Sequence, residues 1–180
     1  MTKEELVSKA LRLAIDPVYK THYVMGGCGQ SLSDGQKDHF VKDYDWGKRH
    51  EKEIRSQSAN TRAYDCVCMV KSLVFWGGPD KLEYNPATDY TIPKLRELCS
   101  DVSSDFSKIS IGEIVFRDNS HVGLVVDILD NGGIIVVEAN NSDEALYKIN
   151  GVYRSTFNCA IEGLPVRSWT QHGKLPSITY

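Results

Sequence analysis

A chain of 180 residues with 41% hydrophobic and 25% charged residues has the make-up of a globular protein with a core of its own, and one domain over residues 1–180 is expected. A net charge of −3 excludes the concentrated basic surface that nucleic-acid backbones require. No apolar run approaches membrane-spanning length.

The opening Met1-Thr2-Lys3-Glu4-Glu5-Leu6 lacks the apolar segment of a signal peptide, so synthesis in the cytoplasm and release by another factor are expected. Five cysteines, an odd count without disulfide-like spacing, predict reduced thiols. Thr2 and Glu5 have capping-box spacing, and Leu6, Ala10, Leu13 and Ala14 recur at helical intervals, predicting a helix that stops near Asp16-Pro17. His22-Tyr23-Val24-Met25-Gly26-Gly27-Cys28-Gly29 follows as a glycine-rich turn without the lysine or spacing of a phosphate loop. Residues 30–63 are polar, anchored by Phe40, Tyr44 and Trp46, and predict an insertion with one or two short helices. Asp43-Tyr44-Asp45-Trp46-Gly47 has the start of a calcium loop but Ile54 at its twelfth position, so no metal is expected.

The centre of the chain is Tyr64-Asp65-Cys66-Val67-Cys68-Met69-Val70-Lys71-Ser72-Leu73-Val74-Phe75-Trp76, closed by Gly77-Gly78-Pro79. Asp65 is a good N-cap, and the glycines and proline form a good stop. Cys66 becomes the first helical residue, where free N–H groups and the helix dipole favour an anion; a lowered thiol pKa is expected. Two helical positions turn Cys68 to the opposite side, as a packing residue. Residues 77–108 form a loop with a short helix around 94–99. Strands are predicted at 111–116, 121–128 and 134–140, then around 152–154 and 159–161, with Trp169, Leu175 and Ile178 in a tail docked on the sheet. Helices followed by strands predict an α+β domain with a central antiparallel sheet.

His121 opens its strand directly after a turn. A two-residue turn at Asn131-Gly132 would set Val125 opposite Glu138, Gly123 opposite Asn140 and His121 opposite Ser142. His121, Glu138 and Asn140 then share a face, Asn140 within diagonal reach of the ring and Glu138 one step farther. A thiol, an imidazole and a polar orienting group are what cysteine acyl-transfer chemistry needs.

Tyr23-x-x-Gly26-Gly27, Asp65-Cys66, Gly112-Glu113-x-Val115-Phe116 and His121-Val122-Gly123 resemble, in order, the motifs of NlpC-type cell-wall peptidases, which are papain-like. Val136-Val137-Glu138-Ala139 and Trp169-x-x-His172-Gly173-Lys174-Leu175-Pro176 are similar to that family's phage and prophage branch. Glu138-x-Asn140 resembles the ending of the CHAP amidase and peptidase family. The resemblance implies a peptidoglycan hydrolase, endopeptidase or amidase, with bacterial peptidoglycan as its partner. It implies Cys66 as nucleophile, His121 as base and acid, and Glu138 as third residue; the register favours Asn140, and both stay open. Oxyanion or substrate binding falls to Tyr23, Asp65 and the Cys66 N–H. Val67-Cys68 stands where the family often has Ser-Gly. A monomer without cofactor is expected. Other readings are a zinc site at Cys28, Cys66, Cys68 and a histidine, a papain-like hydrolase or acyltransferase on a non-wall substrate, and a silent wall-binding module.

Overall fold

The computed structural model describes residues 1–142 and 149–180. Its architecture is α+β with an extended antiparallel sheet. Helix α1 (Lys3–Ile15) forms as its capping box dictates. Glu5 N–H donates to the Thr2 hydroxyl at 3.2 Å and Thr2 N–H to the Glu5 carboxylate at 2.9 Å, a device worth about 1 kcal/mol. Leu6, Ala10 and Leu13 turn inward, and the helix ends before Pro17.

The glycine-rich stretch is more than a turn. Strands β1 (Thr21–Tyr23), β2 (Cys28–Ser31) and β3 (Arg62–Tyr64) make a small sheet in the order β1-β3-β2, with β1 parallel and β2 antiparallel to β3. Strands of three and four residues are too short for alternation to show in sequence. Gly27 is required here, since a Cβ would sit 2.7 Å from the Ala63 carbonyl carbon. The insertion holds three helices, one more than expected: α2 (Asp34–Asp43), α3 (Asp45–Arg49) and α4 (Glu51–Ser56). They close over a small core of Val24, Leu32, Phe40, Val41, Ile54 and Ala63, with Tyr44 and Trp46 against it.

Helix α5 (Cys66–Phe75) runs from its Asp65 cap to Gly77 and Gly78, both left-handed, with Gly78 N–H returning to Ser72 O at 2.8 Å. Helix α6 (Ile92–Leu98) starts two residues before the predicted position, because Thr91 caps it and Pro93 fits its first turn. Strands β4 (Ser100–Ser103), β5 (Ile114–Arg117), β6 (His121–Ile128), β7 (Ile134–Ser142), β8 (Ile149–Phe157) and β9 (Gln171–Lys174) form an antiparallel sheet in the order β4-β9-β5-β6-β7-β8. Two expectations are corrected. The tail does not merely dock: β9 is inserted between β4 and β5. Residues 159–161 are not a strand; Ile161 accepts the Leu164 N–H at 3.1 Å in a turn. One sheet face, with Val122, Leu124, Val126, Val137 and Ala139, packs on α1 and α5, and the other, with Val115, Val125, Ile134 and Val136, packs on Trp169.

The β6–β7 hairpin departs from the predicted register in two compensating ways. Its loop has three residues, 130–132, closed by Leu129 N–H to Gly133 O at 2.8 Å. A bulge at Val126 then shifts the ladder, so that Leu124 pairs with Val137 and Val125 with Val136. Continuing that offset sets Gly123 opposite Glu138 and His121 opposite Asn140. A three-residue loop alone would have turned Glu138 to the helical face; the bulge turns it back.

Candidate active site

β3 runs straight into α5, so the strand that pairs Tyr23 with Tyr64 also delivers Asp65 and Cys66. Asp65 is buried and its oxygens serve two elements. Oδ1 accepts the Cys68 N–H at 2.7 Å and Oδ2 the Gly26 N–H at 3.0 Å, tying the glycine-rich turn to the helix tip. Both oxygens are thus occupied by backbone, which gives Asp65 a positioning task at the site. Burial raises its pKa, against those two hydrogen bonds.

Cys66 stands at the first helical position, as expected, and is 6% exposed. Its pKa is corrected. Burial and the neighbouring Asp65 carboxylate push the thiol up to about 12, and the N–H groups of Val122, Val67 and Cys66 oppose them without prevailing. Desolvation outweighs the helix terminus. The Val122 contact places the sulfur against the start of β6, one residue from His121.

His121 is 4% exposed and Glu138 fully buried, with His121 Nε2 and Glu138 Oε2 at 2.6 Å. Burial pushes the Glu138 carboxyl up, but the His121 bond and charge, the Ser155 hydroxyl and Arg167 outweigh it, so it titrates below the usual range. Asn140 Nδ2 donates to the same Glu138 oxygen at 3.5 Å. Glu138 therefore holds the ring, and Asn140 holds Glu138. Gly123 makes the room: a side chain there would meet Val136 Cγ1 at 2.5 Å and Trp169 Cη2 at 3.1 Å. Trp169 lies flat along the imidazole, centroids 5.5 Å apart and planes 12° off parallel.

Tyr23 is buried, its backbone N–H bonded to Asn150 Oδ1 at 2.7 Å and its ring edge-on to Trp46 at 5.5 Å. Burial, then the Cys66 and Asp65 charges, raise the phenol well above its ordinary value. The hydroxyl keeps its proton beside the sulfur, as an oxyanion donor must.

The expectation of five reduced thiols is corrected as well. Cys28 and Cys68 form a disulfide, leaving Cys66, Cys99 and Cys159 free. The pair was invisible in sequence because the fold of the small sheet, not the spacing, brings β2 to α5. With two of its sulfurs bonded to each other, the proposed zinc set is broken. Sequence reasoning also missed Arg167, whose Nε faces the Glu138 carboxylate at 3.5 Å, and Tyr153, whose hydroxyl accepts a bond from Arg167 at 2.7 Å. The signal was Glu138 itself, since a carboxylate in an apolar strand needs a counter-charge; nothing in the spacing selected Arg167.

The arrangement gathers a thiol at a helix tip, an imidazole held by a carboxylate on the neighbouring strand, and two groups able to donate to an oxyanion, the Cys66 N–H and the Tyr23 O–H. No family model, curated protein or solved structure matches the chain.

Proposed function

We propose that the chain is a cysteine hydrolase of papain-like arrangement that cuts an amide bond of peptidoglycan, as endopeptidase or amidase. The observation that carries the chemistry is the buried His121–Glu138 pair at 2.6 Å, set beside a helix that begins with Cys66. The wall substrate rests on the resemblance of the ordered motifs. The Cys28–Cys68 disulfide supports action outside a reducing compartment, where the wall lies.

With the thiol raised to about 12, the sulfur keeps its proton at rest and attack needs a base in step. Glu138 engages Nε2, so proton transfer falls to His121 Nδ1. As Nδ1 takes the proton, the sulfur bonds the carbonyl carbon and the C=O pair moves onto oxygen. That oxyanion meets the Cys66 N–H and the Tyr23 O–H. The imidazolium, stabilised by Glu138, gives its proton to the amide nitrogen, the C–N bond breaks and the amine leaves a thioester. Water then attacks with His121 taking its proton, and C–S cleavage returns the thiol and frees the acid.

Purified sacculi and mass spectrometry of released muropeptides test this directly. Wild type should release fragments with new amino termini, and Cys66→Ala should lose at least about 10³-fold in rate. Equal release by the two proteins would end the thiol mechanism. Release of no fragments by the wild type from sacculi of several wall types would end the wall assignment.

A further inference from the structure

The two oxygens of Glu138 face different neighbours. Oε2 is bonded to His121, and Oε1 faces Arg167 Nε at 3.5 Å. Arg167 is 9% exposed and comes from the extended segment after β8, where its own N–H donates to Thr156 O at 2.7 Å and Val166 bridges to Thr156. Its Nη2 donates to the Tyr153 hydroxyl at 2.7 Å. Tyr153 lies directly opposite Glu138 in the β7–β8 ladder, and the guanidinium sits 5.9 Å from its ring centroid. Arg167 and Trp169 are two apart in extended chain, so both point to the dyad's side of the sheet. One stands behind the carboxylate and the other lies along the imidazole.

We propose that Arg167, anchored by Tyr153, is the positioning residue that keeps Glu138 an anion aimed at His121. The described charged or titratable groups facing Glu138 are His121 from β6, Tyr153 from β8 and Arg167 from the following segment, with Ser155 and Asn140 as neutral neighbours. His121 lends positive charge only when protonated; Arg167 is always charged. A permanent cation lets Glu138 stay ionised through both halves of the cycle, when the imidazole is neutral as well as when it is charged. This role deepens the hydrolase reading and rests on it for its catalytic meaning.

The test is a ¹³C-carboxyl NMR titration of Glu138, assigned with Glu138→Gln, in wild type, Arg167→Met, Arg167→Lys and Tyr153→Phe, together with the pH dependence of kcat/KM on sacculi. Arg167→Met should move the Glu138 midpoint upward by about one pH unit, move the acid limb with it, and lower kcat more than it changes KM. Arg167→Lys should restore the midpoint. Tyr153→Phe, which spares the cation but removes one of its hydrogen bonds, should shift the midpoint the same way by less. An unmoved midpoint in Arg167→Met overturns the proposal, as does a shift that Lys fails to restore. If Arg167→Met does not fold, an unmoved midpoint in Tyr153→Phe overturns it. The titration needs no substrate, so shifted midpoints in a protein inert on every wall would sink the hydrolase reading and leave this charge role standing.

Discussion

His121 with Glu138 and His172 with Glu113 are both buried imidazole–carboxylate pairs of the six-stranded sheet, at 2.6 and 2.5 Å. Each has a free cysteine nearby, Cys66 in one case and Cys99 in the other. The wiring differs. His172 spends its second nitrogen on Asp105 O at 3.1 Å, and Glu113 accepts the Ser110 N–H at 3.2 Å, so that pair locks β9 to β5 and to the loop before it. Cys99 caps the C-terminal end of α6 and donates to Leu95 O at 3.4 Å, where the helix dipole disfavours an anion. Cys66 begins a helix and receives N–H groups instead. Both thiols are pushed up to about 12 by burial. A cysteine, a histidine and a glutamate in proximity are common to both places; the direction of the helix and the use of the second ring nitrogen set them apart.

Exchanging the two histidines for alanine gives the largest contrast. His121→Ala should lose at least about 10³-fold in wall hydrolysis at a smaller cost in stability than His172→Ala, because Arg167 and Asn140 still face the Glu138 carboxylate. His172→Ala leaves Glu113 buried without its partner and should cost about 3–5 kcal/mol of stability. Paired urea melts and sacculus assays decide it, and the reverse pattern would move the catalytic assignment to the second pair.

The disulfide ranks next. Its cysteines are 40 residues apart and join the glycine-rich stretch to the first turn of α5. Cys28→Ser with Cys68→Ser should cost about 2–4 kcal/mol in chemical unfolding while Cys66 remains alkylatable. Loss of activity at unchanged stability would make the crosslink part of the site and not of its scaffold.

The smallest effect belongs to Asp65. Its negative charge holds the Cys66 thiol up, so Asp65→Asn should lower that midpoint by up to about one unit and speed iodoacetamide alkylation at pH 9. Cys99, raised by burial and by Glu113 instead, serves as the internal control. Equal acceleration of both cysteines would mean a loosened fold in place of an electrostatic effect.

Helices α1 and α5 and strand β6 were legible almost to the residue, because caps and stops are local: Thr2 with Glu5, Asp65 with Gly77, and the turn before His121. The small sheet, the insertion of β9 and the Cys28–Cys68 pair were not, since each depends on partners distant in the chain. The site divides the same way. Cys66, His121 and Glu138 stood out as polar residues at the ends or within the faces of apolar elements. The thiol's high pKa did not, because burial is a property of the assembled fold. Arg167 was one of 21 basic residues until the sheet set it behind a carboxylate.

The extra residue at Val126 and the odd-numbered loop that follows work as a pair. With both faces of the sheet buried, pairing β7 one residue out of step would carry Glu138 to the helical face and turn Val137 toward the imidazole, so loop and bulge must occur together in this sequence. Residues added or removed between Leu129 and Gly133 leave the Leu124–Val137 pairing in place, and a library of loop lengths there should keep its activity across odd and even sizes.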